Sequence, residues 1–560
     1  MYPRRIAASE IQPDRRPLKI FAFDPMLGRA AGNRVVIDIA NEMLMPGPQG
    51  SRIAVVDYDG ANKRYYEPVN LDEPSLLMQG GLDPTEGDPR FHQQMVYAVA
   101  MKVIENFELA LGRRITFRRN RPLRLMPHAF RGANAFYNPK LLAILFGYFR
   151  ADRSDPGPNL PGQTVFTCLS QDIISHEMTH ALVDRLRRLF IEPSNRDVAA
   201  FHEGFADIVA IFQHFSFQSI LREKIQETRT ELRSPTPLIH LAQQFGYTTG
   251  RGKALRTAVD KPDPKLYETL DEAHDRGSIL VAAVFDAFFN TYQKRTKDLT
   301  RIATGGTGDL PKGELHPDLV NRIAGEASRT AQSILSMCIR AFDYLPPVDV
   351  TFGDYLRALV TADFELNPVD DIGMRAAIIE AFRCRGVYPE NVISLAEESL
   401  LWEPAEALEY FPVAHLANLM LEGAQQYSRS TGRQVLTTTT TDEERDRDIT
   451  GEQFTLSDMA REQAQTELGD DVATNLGHWA SRNASGIGLN PDLPIAVLGF
   501  HPVFRVSPKG QLLVEMVAAR RHLQRPVRRL TLARRNHRSR LSRGKGTLRH
   551  LQADAVNCDQ

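Results

Sequence analysis

The sequence is poor in cysteine. Its four cysteines, Cys168, Cys338, Cys384 and Cys558, are scattered over 560 residues, and none forms a CxxC pair. That spacing argues against a disulfide framework and against a cysteine-based zinc site, and leaves buried, inert thiols as the reading. Long hydrophobic runs are also missing. The longest, Leu141–Phe149, falls well short of the roughly 20 residues needed to cross a bilayer. The N-terminus (MYPRRIAASEIQPDRRPLKI) carries basic side chains but no apolar stretch of about 7–15 residues behind them, so it does not read as a secretory signal. The expectation is a soluble protein, cytoplasmic by default, with leaderless export left open. An excess of charge of either sign is absent too. Lys and Arg number 68 against 69 Asp and Glu, a balance that favours no class of partner for the chain as a whole.

What is present suits a large folded protein. Hydrophobic residues make up 42% and charged residues 24%, ordinary globular values, and the length predicts two to four domains. Short β-like runs come first: Leu18–Phe23, Arg34–Ile39 and Ile53–Tyr58. Between Gln93 and Leu111, apolar residues recur at three- and four-residue steps and Gly112 follows, which predicts an amphipathic helix with a glycine stop. Strand-like runs follow at Arg114–Arg118, Leu123–Met126, Leu141–Phe149 and Gln163–Cys168, the last after a Pro/Gly-rich loop. From about Ser170 to Arg385 helical patterns dominate, at Asp197–Phe215, Ile279–Tyr292, Ala327–Phe342, Phe352–Asp363 and Met374–Phe382. The fold class is therefore α+β, with a β-rich N-terminal half and an α-helical C-terminal half. We divide the chain at 1–90 and 91–170 (β-rich), 171–390 (helical), 391–519 (a poorly ordered extension with a polythreonine linker, Thr437–Thr441) and 520–560. Phe504–Val517 reads as a hairpin around Pro-Lys-Gly. Between Arg520 and His550 stand twelve Arg or Lys and no Asp or Glu, a solvated tail or a contact for polyanions.

The chemistry lies in the helical half. Ser175–Ala181 reads SHEMTHA. On a helix, His176 and His180 share a face one turn apart and can reach one zinc ion, with Glu177 beside them to activate water. Catalytic zinc needs a third protein ligand, and Phe201–Ile208 (FHEGFADI) offers Glu203, with Asp207 one turn on to hydrogen-bond the free ring nitrogen of a ligating histidine. His202 adjoins Glu203 but points about 100° away on a helix, and reads as a bystander.

HEMTH followed after 22 residues by an E-x-x-x-D helix resembles the thermolysin-like zinc peptidases. The resemblance covers roughly residues 85–390. It includes Asn134-Ala135-Phe136-Tyr137, similar to the family's edge-strand segment that holds the substrate main chain, so it implies a substrate-binding role for Asn134 and Ala135. It includes EAHDRGSIL, which implies that His274 steadies the tetrahedral intermediate, with Asp271 the nearest aspartate to orient it. It implies a zinc cleft between the β-rich and α-rich halves. It implies calcium as well, for which Asp172 matches one ligand while the later acidic cluster has no counterpart. Ser194 stands where the family has an oxyanion-binding tyrosine. The implied activity is metalloendopeptidase, with one zinc per chain and a protein or peptide substrate. The rivals are a zinc aminopeptidase, disfavoured because no G-x-M-E-N-like motif is present, and a non-catalytic zinc-stabilised binding protein, disfavoured by Glu177.

Overall fold

A computed structural model describes residues 13–25, 33–117, 121–157, 159–187, 190, 193–227, 262–307, 315–346, 348–402, 482, 495–506 and 512–522. Strands β1 (Arg15–Phe21) and β2 (Arg34–Ala40) pair antiparallel, Arg15 opposite Ala40. Leu18 and Ile20 on one, Val35, Ile37 and Ile39 on the other, turn inward, as the two-residue period of a strand requires. Both strands lie on helix α1 (Pro89–Leu111). That helix starts four residues before the apolar periodicity at Gln93 suggests. Asp88 caps it by accepting a hydrogen bond from the Arg90 N–H at 2.9 Å, and Pro89 sits at the first helical position, where its missing N–H costs nothing. Gly112 closes it with a φ of 67°. Nearly every side of α1 is buried, as befits a helix with neighbours all round.

The main sheet has the order β3 (Ile53–Val55), β4 (Leu123–Arg131), β6 (Ala143–Arg150), β5 (Ala135–Asn138), and β7 (Thr164–Phe166) also pairs with β6. Strands β3, β4 and β6 run parallel; β5 and β7 run antiparallel to β6. The apolar run at Leu141–Phe149 supplies this middle strand. Strand β5 pairs with its first half and β7 with its last residues, and Gly147 lies between the two. A Cβ there would stand 2.7 Å from the Asn134 carbonyl oxygen, so only glycine lets the start of β5 come this close. The strand read at Arg114–Arg118 does not form over residues 114–117.

Helices follow: α2 (Gln171–Leu186), α3 (Arg196–His214), α4 (Gln218–Glu227), α5 (Ala273–Ala303), α6 (Pro317–Arg340), α7 (Phe352–Phe364) and α8 (Met374–Arg383). Mixed α and β content, with the main sheet early and the helices late, is therefore the architecture. One buried hydrophobic cluster runs from Leu18 to Leu400, across the boundaries read at residues 90 and 170. The core outlasts residue 390: Trp402 lies under the Arg357 guanidinium, 3.7 Å from ring centre to Cζ. Among the described residues no helix is long and apolar enough to cross a membrane. Strands β8 (Ile495–Val506) and β9 (Leu512–His522) pair antiparallel with Phe504 opposite Val514. This is the expected hairpin, longer at both ends. Since β9 continues to His522, Arg520 and Arg521 belong to a strand rather than to the start of a tail. The polythreonine run and the remaining basic residues lie outside the described residues.

Candidate active site

Helix α2 begins at the N-cap Ser170, whose hydroxyl accepts from the Ile173 N–H. Ile174, Met178 and Leu182 are buried, and so are His176 and Glu177. Helix α3 begins at Asn195, whose side chain accepts from the Asp197 and Val198 N–H groups at 2.8 and 3.2 Å. Phe201 and Phe205 stack on each other, both pack edge-on against Tyr355, and Phe205 packs edge-on against Phe342, which fixes the rotation of α3. Glu203 and Asp207 thereby face α2. The ligand atoms of His176, His180 and Glu203 all lie within 4.8 Å of one another. Glu203 Oε2 is 3.3 Å from His176 Nε2 and 3.7 Å from His180 Nε2, and the two Nε2 atoms are 2.9 Å apart.

Donor counting shows what this arrangement suits. His176 Nδ1 lies 2.8 Å from Asp207 Oδ1 and donates its proton there. A neutral His176 then aims the Nε2 lone pair at His180 and Glu203. Two imidazole lone pairs and a carboxylate pointing at one place need a shared cation or proton between them. Burial by itself would raise the Glu203 carboxyl, but with protons on His180, His176 and His274 these rings hold it well below the usual carboxylate range. A negative Glu203 among histidines is the donor set of a borderline cation such as zinc.

His202 is not a bystander. Its ring stacks on His180 with centroids 5.0 Å apart, and the two Nδ1 atoms are 2.8 Å apart. Burial pushes its pKa down to about 4, so it is neutral near pH 7 and orients His180 as Asp207 orients His176. The helical wheel turned His202 away from Glu203 correctly, but the crossing of α2 and α3 puts His180 on that side. No signal within α3 alone carries this.

Glu177 sits where α2 meets β5. Its Oε2 accepts from the Tyr137 N–H at 3.0 Å, and Tyr137 Oη donates to Asp184 Oδ2 at 2.7 Å. Burial first, then Asp184, pushes the Tyr137 phenol up. Strand β5 is the last of its path, so its outer side carries no strand among the described residues. The Asn134 carbonyl accepts from the Gly147 N–H on β6. By antiparallel alternation, the backbone groups of Ala135 and Tyr137 then face outward. Asn134 is exposed, but its Oδ1 turns back to the Ala135 N–H at 2.9 Å instead of presenting itself outward.

His274 lies in the first turn of α5, 51% exposed, with Nε2 3.4 Å from Glu203 Oε2. Its partner is Glu272 and not Asp271. Glu272 caps α5 by accepting from the Asp275 N–H at 2.8 Å, and its other oxygen lies 2.9 Å from His274 Nδ1. Asp271 points to solvent and pairs with Arg196 at 2.9 Å. Two features bring α5 this close to α3. Gly204 and Gly277 face each other: a Cβ on Gly204 would stand 2.6 Å from the Gly277 carbonyl oxygen. The buried Arg276 donates to Asp197 in the first turn of α3 at 2.6 Å. Of the remaining expectations, Ser194 is exposed, and Asp172 is buried in a pair with His214. Among the described residues no acidic cluster forms around Asp172.

No model of a known family matches the chain, and no curated protein matches it either.

Proposed function

We propose that the chain is a zinc-dependent endopeptidase of the thermolysin-like kind, cutting peptide bonds with Glu177 as general base. The observation that carries this reading is the convergence of His176, His180 and Glu203 within 4.8 Å beside a carboxylate already tied to an edge strand. Two imidazoles and one carboxylate are a donor composition found in catalytic zinc sites. A zinc ion held there would polarise the scissile carbonyl and make water nucleophilic near neutral pH. Asp207 and His202 keep both imidazole lone pairs directed inward.

Glu177 takes the proton of the attacking water and passes it to the leaving amine. The Tyr137 N–H holds one Glu177 oxygen at 3.0 Å and so fixes the carboxylate next to His176. His274 steadies the charge that develops on the carbonyl oxygen, and Glu272 orients its ring. Ser194, exposed, stands where the family brings a tyrosine to that task. The substrate lies extended along the outer edge of β5 and donates its N–H groups to the outward carbonyl oxygens of Ala135 and Tyr137.

The test is a peptide library digested with purified protein, its cut sites read by mass spectrometry, alongside phenanthroline-treated protein and Glu177→Gln. Internal cuts that need both metal and Glu177 are the expected result. Cuts confined to N-terminal residues would make the enzyme an aminopeptidase. Bound zinc with no cleavage would leave a zinc-stabilised binding protein.

A further inference from the structure

A second set of ligand atoms converges away from His176 and His180. His92 stands in the first turn of α1, His128 on β4, and Cys168 in the 3-10 turn Thr167–Leu169 that leads into α2. One ligand atom from each lies within 4.8 Å of the others, and all three residues are at most 1% exposed. We propose that His92, His128 and Cys168 hold a second metal ion, in a buried site suited to a thiolate-accepting cation such as zinc.

The outer contacts carry the argument. His92 Nδ1 and His128 Nε2 face each other at 2.9 Å, the same separation as between His176 and His180. The far nitrogen of each ring already has an acceptor: His128 Nδ1 lies 2.7 Å from Asp57 Oδ1, and His92 Nε2 lies 3.1 Å from the Glu86 carbonyl oxygen. Gln93 donates to the second Asp57 oxygen at 2.9 Å and fixes that carboxylate. Protons on the two far nitrogens leave two lone pairs aimed at one point beside the Cys168 sulfur. Ligating histidines are held in this manner by carboxylates and backbone carbonyls.

Charge closes as well. A divalent ion bound there would hold Cys168 as its thiolate, the thiol proton passing to solvent. One thiolate and the Asp57 carboxylate then balance its two charges inside a dry pocket. Tyr66, Phe166 and Tyr148 pack around the His128 ring with centroids 4.7–6.1 Å away and exclude water.

The backbone is bent to make the site. The β4–β6 register passes from Met126 opposite Leu145 to Phe130 opposite Gly147, so β4 carries two extra residues around Pro127 and His128. Such a bulge re-aims a side chain. Gly60 presses against it, since a Cβ there would stand 2.5 Å from the Ala129 carbonyl oxygen. Spacing alone made Cys168 an inert buried thiol; a sheet bulge and a helix start supply the histidines it lacked. The site staples α1, β4 and the turn before α2 together, upstream of His176.

Cobalt distinguishes the two clusters, because only the second contains sulfur. Full-length protein produced in cobalt-supplemented medium should bind about two cobalt ions per chain, one for each ligand set. It should also show a thiolate-to-cobalt charge-transfer band in the near ultraviolet. His180→Ala/Glu203→Ala should keep the band and about half the metal; Cys168→Ser should lose the band and keep the other half. If Cys168→Ser fails to fold, the wild type and the double variant decide alone. A wild type without the band, together with a double variant that binds no cobalt, would overturn the second site. The readout is independent of peptidase activity. A chain with the band and no cleavage drops only the endopeptidase reading, and a chain with metal-dependent cleavage, one metal and no band drops only this one.

Discussion

The two histidine clusters share a plan and differ in access. In each, two imidazole nitrogens face each other at 2.9 Å, and a buried aspartate holds the far side of one ring: Asp207 on His176, Asp57 on His128. His92, His128 and Cys168 are themselves at most 1% exposed. Around His176 and His180, Glu203 is 22% and His274 51% exposed, and Glu177 stands beside them on α2, hydrogen-bonded to the edge strand β5. A ligand set with an exposed rim and a base can admit a peptide; one sealed by aromatic rings can only hold its own elements together. The lesson is that donor type alone does not separate chemistry from scaffolding. The side left open does.

The largest effect should come from metal removal. Phenanthroline should abolish peptidase activity and added zinc restore it, whereas Cys168→Ser should retain activity while it stays folded. Retained activity in metal-free protein would erase the proposed distinction. Next is Glu177→Gln, expected to keep the metal and lose at least about 100-fold in kcat through loss of the general base. Zinc-bound protein turning over at the wild-type rate would take Glu177 out of the chemistry. His274→Ala should lower kcat by about 100–1,000-fold with unchanged metal content, as when one oxyanion donor is lost. Asp271→Ala should stay within about ±0.5 kcal/mol of wild type, as exposed substitutions usually do; the reverse order would return the orienting role from Glu272 to Asp271.

Removing the outer carboxylate of each cluster sharpens the comparison further. Asp207→Ala should weaken zinc affinity or activity about 10–100-fold. Asp57→Ala should weaken the second metal by a similar factor and lower thermal stability without a comparable loss of kcat. Equal catalytic losses in the two variants would mean that the clusters are not separate in function. The smallest effect is expected from His202→Ala, at the lower end of that range, about 10-fold in metal affinity, with His202→Asn milder because an acceptor remains for His180. These are read from metal titrations and steady-state kinetics on the same preparations.

Much of the architecture was legible from local pattern. Strands β1, β2 and β4 appear where short β-like runs put them, and helices α1, α3, α7 and α8 where helical patterns did. Their ends moved where caps, and not periodicity, set the boundary, as Asp88 and Pro89 did for α1. The i, i+4 pairs His176/His180 and Glu203/Asp207 were readable because helix geometry alone places such side chains on one face. Asp271 was a natural choice by residue type, yet Glu272 faces His274 because it doubles as the N-cap of α5.

By itself, then, the sequence determined what is local: helix and strand periods, their caps, and the two pairs of side chains one helical turn apart. Tertiary structure decided which faces meet. The Gly204–Gly277 contact sets how near His274 comes to Glu203, and the α2–α3 crossing turns His202 onto His180. The bulge at Pro127 and His128 meets the start of α1 and the Cys168 turn only because sheet and helix share one core. A helical or strand period acts over a few residues, whereas His92, His128 and Cys168 stand 36 and 40 residues apart along the chain, a spacing that carries no period. Only packing could bring them together.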